Sequence, residues 1–98
     1  MNTLTEDEVR AALAHLPGWS GDLTSIRAEY RFTSYEAGVA FAMQVALVAQ
    51  KLDHHPDLLI GWQRVLVTFT SHDAGGVTKR DLRAAEAVAA FAPRSSGA

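Results

Sequence analysis

The sequence predicts an α+β domain in which a four-stranded antiparallel sheet carries its helices on one face. Three segments of helical character alternate with two pairs of strand-like segments, in the order α-β-β-α-β-β-α. Each strand pair is joined by a short turn, as is typical of antiparallel hairpins. The 98 residues are 48% hydrophobic and 20% charged, which suits one hydrophobic core. We therefore expect a single domain over residues 1–93.

The first helix is marked by a capping box, in which Thr5 stands three residues before Glu8. Apolar residues at helical spacing run on to Leu16, and Pro17-Gly18 is expected to end the helix. A strand near residues 18–23 then leads into a second strand at residues 25–32. Apolar and polar residues alternate along this second strand, which indicates one buried face.

Ser34 is a predicted N-cap for a second helix over residues 35–52. Between residues 39 and 49 only Gln44 is polar, so this helix is apolar nearly all round. A helix on the surface of a two-layer domain normally keeps a polar face. We therefore expect a second copy of the chain to cover it, with Ala42 and Ala46 on the outward side, making the protein a homo-oligomer.

Two strand-like segments, residues 58–60 and 65–70, flank a turn that contains Trp62. A loop with two glycines follows, and Thr78 then caps a third helix that continues through Phe91 and ends at Pro93. The last five residues, 94–98, offer nothing to bury, so we expect a disordered tail.

The composition of the chain limits the classes of partner that we expect. The net charge is -2, and no run of cations exceeds Lys79-Arg80, which argues against nucleic acid or an anionic membrane as a partner. The sequence has no cysteine, no signal-like segment and no apolar stretch long enough to span a bilayer. We expect a cytoplasmic protein with a small-molecule partner.

The strongest functional feature is the pair His54-His55 before Pro56, followed later by His72 and Asp81. The unperturbed pKa of histidine lies close to neutral pH, so these side chains can act as both acids and bases. The order of elements places them at helix and strand ends, where sites usually lie. A metal site is the alternative, but the usual His-x-x-x-His or Cys spacing is absent.

The segment from Ala49 to Pro56, with the later Trp62, His72 and Asp81, resembles the signature spacing of the pterin-4a-carbinolamine dehydratase family. The resemblance implies dehydration of 4a-hydroxytetrahydropterin to quinonoid dihydropterin. This lyase reaction recycles the tetrahydropterin, such as tetrahydrobiopterin, that aromatic amino-acid hydroxylases use. It further implies that no metal or organic cofactor is needed, and that the chain forms a homodimer or homotetramer.

The resemblance also implies roles for individual residues. The catalytic group is His54, His55 and His72, with His54 and His72 as the acid-base pair and His55 contacting the pterin. The substrate-binding residues are Asp53, Trp62, Arg80 and Asp81. Two of these residues have a simpler interpretation, since Trp62 could pack the hairpin and Asp81 could cap the third helix. His15 has no partner motif, and we expect it to be solvated.

Two positions depart from the family pattern. Gln50 stands where the family usually has Glu, one helical turn before His54, and Leu58 stands where several relatives have Trp. An amide can hydrogen-bond but cannot carry charge, so Gln50 favours a second interpretation. In that interpretation the chain is a catalytically weak binding, assembly or regulatory protein. The intact histidines and Asp81 favour the enzyme.

Overall fold

The computed structural model describes residues 2–93 and confirms the predicted α+β order. Its elements are α1 (Glu6–Leu13), β1 (Trp19–Gly21), β2 (Ile26–Arg31), α2 (Tyr35–Leu52), β3 (Asp57–Ile60), β4 (Arg64–Phe69) and α3 (Lys79–Phe91). A short 3-10 turn, His72–Ala74, lies between β4 and α3. The tail expected at residues 94–98 lies outside the described residues.

The four strands form one antiparallel sheet in the order β1-β2-β4-β3. The two central strands pair along their full length, with Ile26 opposite Phe69 and Arg31 opposite Arg64. Alternate side chains of these strands enter the hydrophobic core, and they are Ile26, Ala28, Tyr30, Val65, Val67 and Phe69. The helices pack on this face. The period-two pattern that predicted a half-buried sheet is thus confirmed.

Side chains cap all three helices as the sequence indicates. Thr5 and Thr78 form capping boxes, and Ser34 accepts a hydrogen bond from the backbone of Ala37. The first helix ends at Leu13, earlier than predicted, because the backbone hydrogen bonds that follow span three residues instead of four. The backbone N–H of Leu16 donates to the carbonyl of Leu13 at 3.0 Å, a 3-10 contact that turns the Leu16 side chain into the core.

Helix α2 has a buried face and an exposed apolar face. Its buried residues are Gly38, Phe41, Ala42, Val45 and Ala49. The expectation that Ala42 points outward is wrong: its side chain lies on the same face as Phe41 and Val45 and is only 3% exposed. Ala46 is half-buried. The exposed apolar face, which we call the outer face of α2, contains Met43 and Leu47, which lie one helical turn apart. No described helix is long and apolar enough to cross a membrane.

In the core, the indole N–H of Trp19 donates a hydrogen bond to the hydroxyl oxygen of Tyr30 at 3.0 Å. Both side chains are buried in the core. Burial raises the pKa of the Tyr30 phenol, so the folded protein keeps this hydroxyl neutral. The hydrogen bond joins a side chain of β1 to one of β2. It also satisfies two polar groups whose burial without a partner would cost free energy.

Replacing Tyr30 with Phe removes only the acceptor and leaves a buried indole N–H without a partner. We expect Tyr30→Phe to lower the free energy of unfolding by about 1–3 kcal/mol in urea titrations. Tyr35→Phe is the matched control, because Tyr35 is 54% exposed and its change should be near zero. Equal stability of the two variants would contradict this account of the core.

Candidate functional site

The end of α2 determines where His54 lies. Asp53 follows the helix in the left-handed conformation, with φ 54° and ψ 40°, a region that Asp enters more easily than most residues. The backbone N–H groups of Asp53 and His54 donate back to the carbonyls of Gln50 and Ala49. This reversal turns His54 away from the helix axis and into the core, where its ring stacks on Phe69 with centroids 5.8 Å apart.

His54 meets a carboxylate in the core. Its Nε2 atom lies 2.5 Å from Oδ1 of Asp81, and the two residues are 8% and 0% exposed. An ionised carboxylate only accepts hydrogen bonds, so Nε2 carries the hydrogen of this contact, and in the neutral ring Nδ1 is then the bare nitrogen. Within residues 2–93, Nδ1 makes no hydrogen bond. A carboxylate in this position holds the imidazole in one tautomer and stabilises the positive charge that forms when Nδ1 takes a proton.

Asp81 has two roles at once. Its Oδ2 atom accepts from the backbone N–H of Thr78 and from the hydroxyl of Ser71, each at 2.8 Å. The first of these bonds belongs to the capping box of α3. The sequence left open whether Asp81 caps a helix or takes part in a site, and the structure shows that it caps α3 while it holds His54.

His55 points the other way and is exposed. Its Nε2 atom lies 2.9 Å from Oε1 of Gln50. An amide oxygen is an acceptor only, so His55 also carries its hydrogen on Nε2. The side chain at position 50 therefore contacts His55 rather than His54, because the left-handed turn at Asp53 directs the two neighbouring rings to different sides.

His72 lies on a tight loop beside the start of α3. The last strand ends before it, at Phe69, and His72 opens the 3-10 turn with its side chain exposed. Arg80 braces this loop, since its Nη2 atom donates to Oδ1 of Asp73 at 2.5 Å. The hydrogen bond from the Arg80 guanidinium holds the pKa of the Asp73 carboxyl below its usual value.

Two predicted site residues lie elsewhere. Trp62 is 76% exposed in the β3–β4 turn, so it does not pack the hairpin as the simpler interpretation expected. Trp62 precedes β4, whereas Phe69, on which His54 stacks, ends it. A strand of this length spans roughly 17 Å, so Trp62 is remote from His54 within one chain. Asp53 serves as the exposed C-cap of α2, and the carboxylate that holds a histidine is that of Asp81.

Sequence reasoning missed Ser71, Thr78 and Phe69 as parts of the site. Thr78 was recognised only as a cap, and the burial of Ser71 has no signal in a single sequence.

Arg80 also lines a cavity of about 640 Å³ that contains none of the histidines and is otherwise lined by Asn2, Thr3, Leu4, Glu8, Lys79 and Arg83. Among residues 2–93 no group of three or more His, Asp or Glu side chains is placed to hold a metal ion.

Comparison with known proteins shows the family of this chain. The family model described as pterin 4 alpha carbinolamine dehydratase matches residues 2–91. A protein of Mycobacteroides abscessus, provisionally named a pterin-4-alpha-carbinolamine dehydratase, is 39% identical over 90% of this chain and 94% of its own length. A protein of Nitrobacter winogradskyi with the same provisional name is 44% identical over 93% of each chain. The chain belongs to the pterin-4a-carbinolamine dehydratase family.

Solved structures share the fold. A transcriptional coactivator/pterin dehydratase from Brucella melitensis superposes with a TM-score of 0.86 at 37% identity, over 94% of this chain and 100% of that one. A pterin dehydratase-like protein identified as a RuBisCO assembly factor of the alpha-carboxysome superposes with a TM-score of 0.62 at 22% identity, over 79% of this chain and 89% of that one. The second likeness concerns the fold alone.

The burial of the His54–Asp81 pair generates a stability prediction. His54→Ala leaves a fully buried carboxylate with one donor fewer, and we expect it to lower the free energy of unfolding by about 3–5 kcal/mol. His55→Ala is the matched control and should change stability by under about 1 kcal/mol, since His55 is exposed. Adding Asp81→Asn to His54→Ala removes the uncompensated charge and should recover part of the loss. Additive effects of the two changes would contradict a coupled pair.

The contact of Gln50 generates a second prediction. Gln50→Glu places an anion against His55, and an opposite charge favours the protonated ring. Followed by NMR titration, the proton release of His55 should move to higher pH while that of His54 stays where it is in the parent. A movement confined to His54 would show that position 50 acts on the buried histidine instead.

Proposed function

We propose that this chain dehydrates 4a-hydroxytetrahydropterin to quinonoid dihydropterin and water. The observation that carries the proposal is the buried His54–Asp81 pair in a chain of the pterin dehydratase family that also has the exposed His55 and His72. The reaction breaks the bond between C4a and its hydroxyl oxygen. The oxygen must gain a proton as it leaves, and a ring nitrogen must lose one, so the site needs an acid and a base.

The acid-base pair in this proposal is His54 and His72. Asp81 fixes His54 with Nδ1 free, so the free nitrogen can exchange a proton while the carboxylate stabilises the charged ring. His72 offers a second, exposed imidazole from a separate loop, so the chain has two groups that can exchange protons. His55 is exposed beside them, and its role is to contact the pterin. Arg80 and Asp81 support the site from α3.

The physiological setting follows from the product. Quinonoid dihydropterin must be reduced before it can serve again, so the proposed role is recycling of a tetrahydropterin between a hydroxylation reaction and a reductase. The alternative is a binding or assembly role without catalysis. Gln50, an amide where the family usually has a carboxylate, favours that alternative, and turnover by the purified protein decides between the two.

The purified protein should dehydrate 4a-hydroxytetrahydropterin faster than the spontaneous rate, measured by stopped-flow absorbance. General acid-base groups typically contribute about 10²–10⁴-fold each, so His72→Ala should cost at least about tenfold in kcat. His54→Ala should cost as much in the fraction that remains folded. His15→Ala is the control and should match the parent, because His15 is exposed and outside the site. A parent at the spontaneous rate would contradict the enzyme, and equal losses at all of these histidines would point to unfolding.

We also propose that the chain forms a homo-oligomer through the outer face of α2. Met43 and Leu47 are 60% and 65% exposed, although apolar side chains of this size gain free energy on burial. A domain of this length also buries a modest share of its surface alone, so association adds to its stability.

Placing a charge on that face tests the oligomer. Leu47→Glu should lower the molar mass seen by light scattering, because the carboxylate would be desolvated in the interface. Ala11→Glu adds the same charge at an exposed position of α1, away from the outer face of α2, and should leave the mass unchanged. A parent that scatters as a 10.6 kDa monomer at micromolar concentration would contradict the proposal.

A further inference from the structure

Ser71 lies between β4 and the 3-10 turn that carries His72, and it is only 1% exposed. Its hydroxyl lies 2.8 Å from Oγ1 of Thr78 and 2.8 Å from Oδ2 of Asp81. The proposed reaction gives Ser71 no part in the chemistry, and its side chain does not reach the surface. Its two partners, however, are also buried, and one of them holds His54.

The acceptor character of the carboxylate fixes the direction of these hydrogen bonds. Asp81 can only accept, so the single hydroxyl hydrogen of Ser71 is directed to Oδ2. Ser71 can then only accept from Thr78, whose hydroxyl must be the donor between them. A chain of hydrogen bonds therefore runs from Thr78 through Ser71 to Asp81, and His54 donates to the same carboxylate from the other side.

The backbone of Ser71 organises the second half of the site. Its carbonyl accepts from the N–H groups of Ala74 and Gly75, each at 3.0 Å, and its own N–H donates to the carbonyl of Gly76 at 3.3 Å. These hydrogen bonds close the loop of residues 71–76, which contains His72. One buried residue thus contacts the partner of His54 through its side chain and the loop of His72 through its backbone.

We propose that Ser71 is a positioning residue for the dehydratase site, acting through Asp81 to hold the ring of His54 in one orientation and tautomer. The effect on turnover rests on the proposed function, whereas the effect on His54 does not. Without the hydroxyl, Oδ2 keeps one donor, and the carboxylate is free to turn away from Nε2 of His54. A hydrogen bond to a charged group typically changes an equilibrium by about ten- to a hundredfold, which sets the size of the effect.

The test compares Ser71→Ala, the conservative Ser71→Thr and the control Ser20→Ala, which lies at an exposed position of β1. Two readouts are used: kcat and KM for 4a-hydroxytetrahydropterin, and the imidazole ¹⁵N shifts of His54 without substrate. Ser71→Ala should lower kcat by about ten- to a hundredfold with KM within about twofold, and should change the His54 shifts toward a mixture of tautomers. Ser71→Thr keeps the hydroxyl and should restore both readouts, and Ser20→Ala should match the parent.

A folded Ser71→Ala protein with parental His54 shifts would overturn the proposal. A loss of kcat that only follows the unfolded fraction, with parental shifts in the folded protein, would overturn it as well. If Ser71→Ala does not fold, Ser71→Cys supplies the test, because a thiol fills a similar space but is a much weaker hydrogen-bond donor than a hydroxyl. Altered His54 shifts in that variant support the proposal, and parental shifts overturn it. Altered shifts together with an inactive parent would refute the dehydratase and leave the positioning role standing.

Discussion

The site depends on the burial of one carboxylate. Moving a charged group out of water costs several kcal/mol unless hydrogen bonds and an opposite charge compensate for it. Asp81 is fully buried, and its donors come from three places: the cap of α3, the segment after β4 and the end of α2. The ends of α2 and β4 and the start of α3 therefore determine whether these donors reach the Asp81 carboxylate. The carboxylate therefore holds the start of α3 against the two chain segments that carry the histidines.

This arrangement gives the three histidines different physical environments. His54 is enclosed, stacked on Phe69 and restricted by Asp81 to one tautomer, so its free nitrogen has a defined direction. His55 and His72 are exposed, the first in contact with the amide of Gln50 and the second on a loop closed by backbone hydrogen bonds. A reaction that needs an acid and a base on one ligand is served by such a division, because the groups do not compete for the same contacts.

Local signals in the sequence account for most of the fold. Thr5, Ser34 and Thr78 each precede a run of helical residues, and the structure uses each as a cap. Alternation along β2 predicted its buried face for the same reason, since the period of a strand is a local property. The end of α1 was placed too late, because the tight turn that buries Leu16 depends on packing. The facing of Ala42 was also wrong, because an almost entirely apolar helix gives no indication of which side meets the sheet.

The candidate site was only partly predictable. The spacing of the histidines and Asp81 identified the family, but it did not show which histidine is buried. That outcome depends on the left-handed turn at Asp53, which lies beyond any periodic pattern. Trp62 has a signal in the motif, but it is exposed in the β3–β4 turn, so its expected role in substrate binding stays a prediction.

The central claim is that Asp81 holds His54 with hydrogen on Nε2 and leaves Nδ1 free. Long-range ¹H–¹⁵N correlation spectra of the unmodified protein, recorded at a pH where the ring is neutral, test it directly. We predict a protonated Nε2 and a bare Nδ1 for His54, in slow exchange with no second form. A protonated Nδ1, or averaged shifts like those of a free imidazole, would contradict the claim and with it the proposed basis of the site.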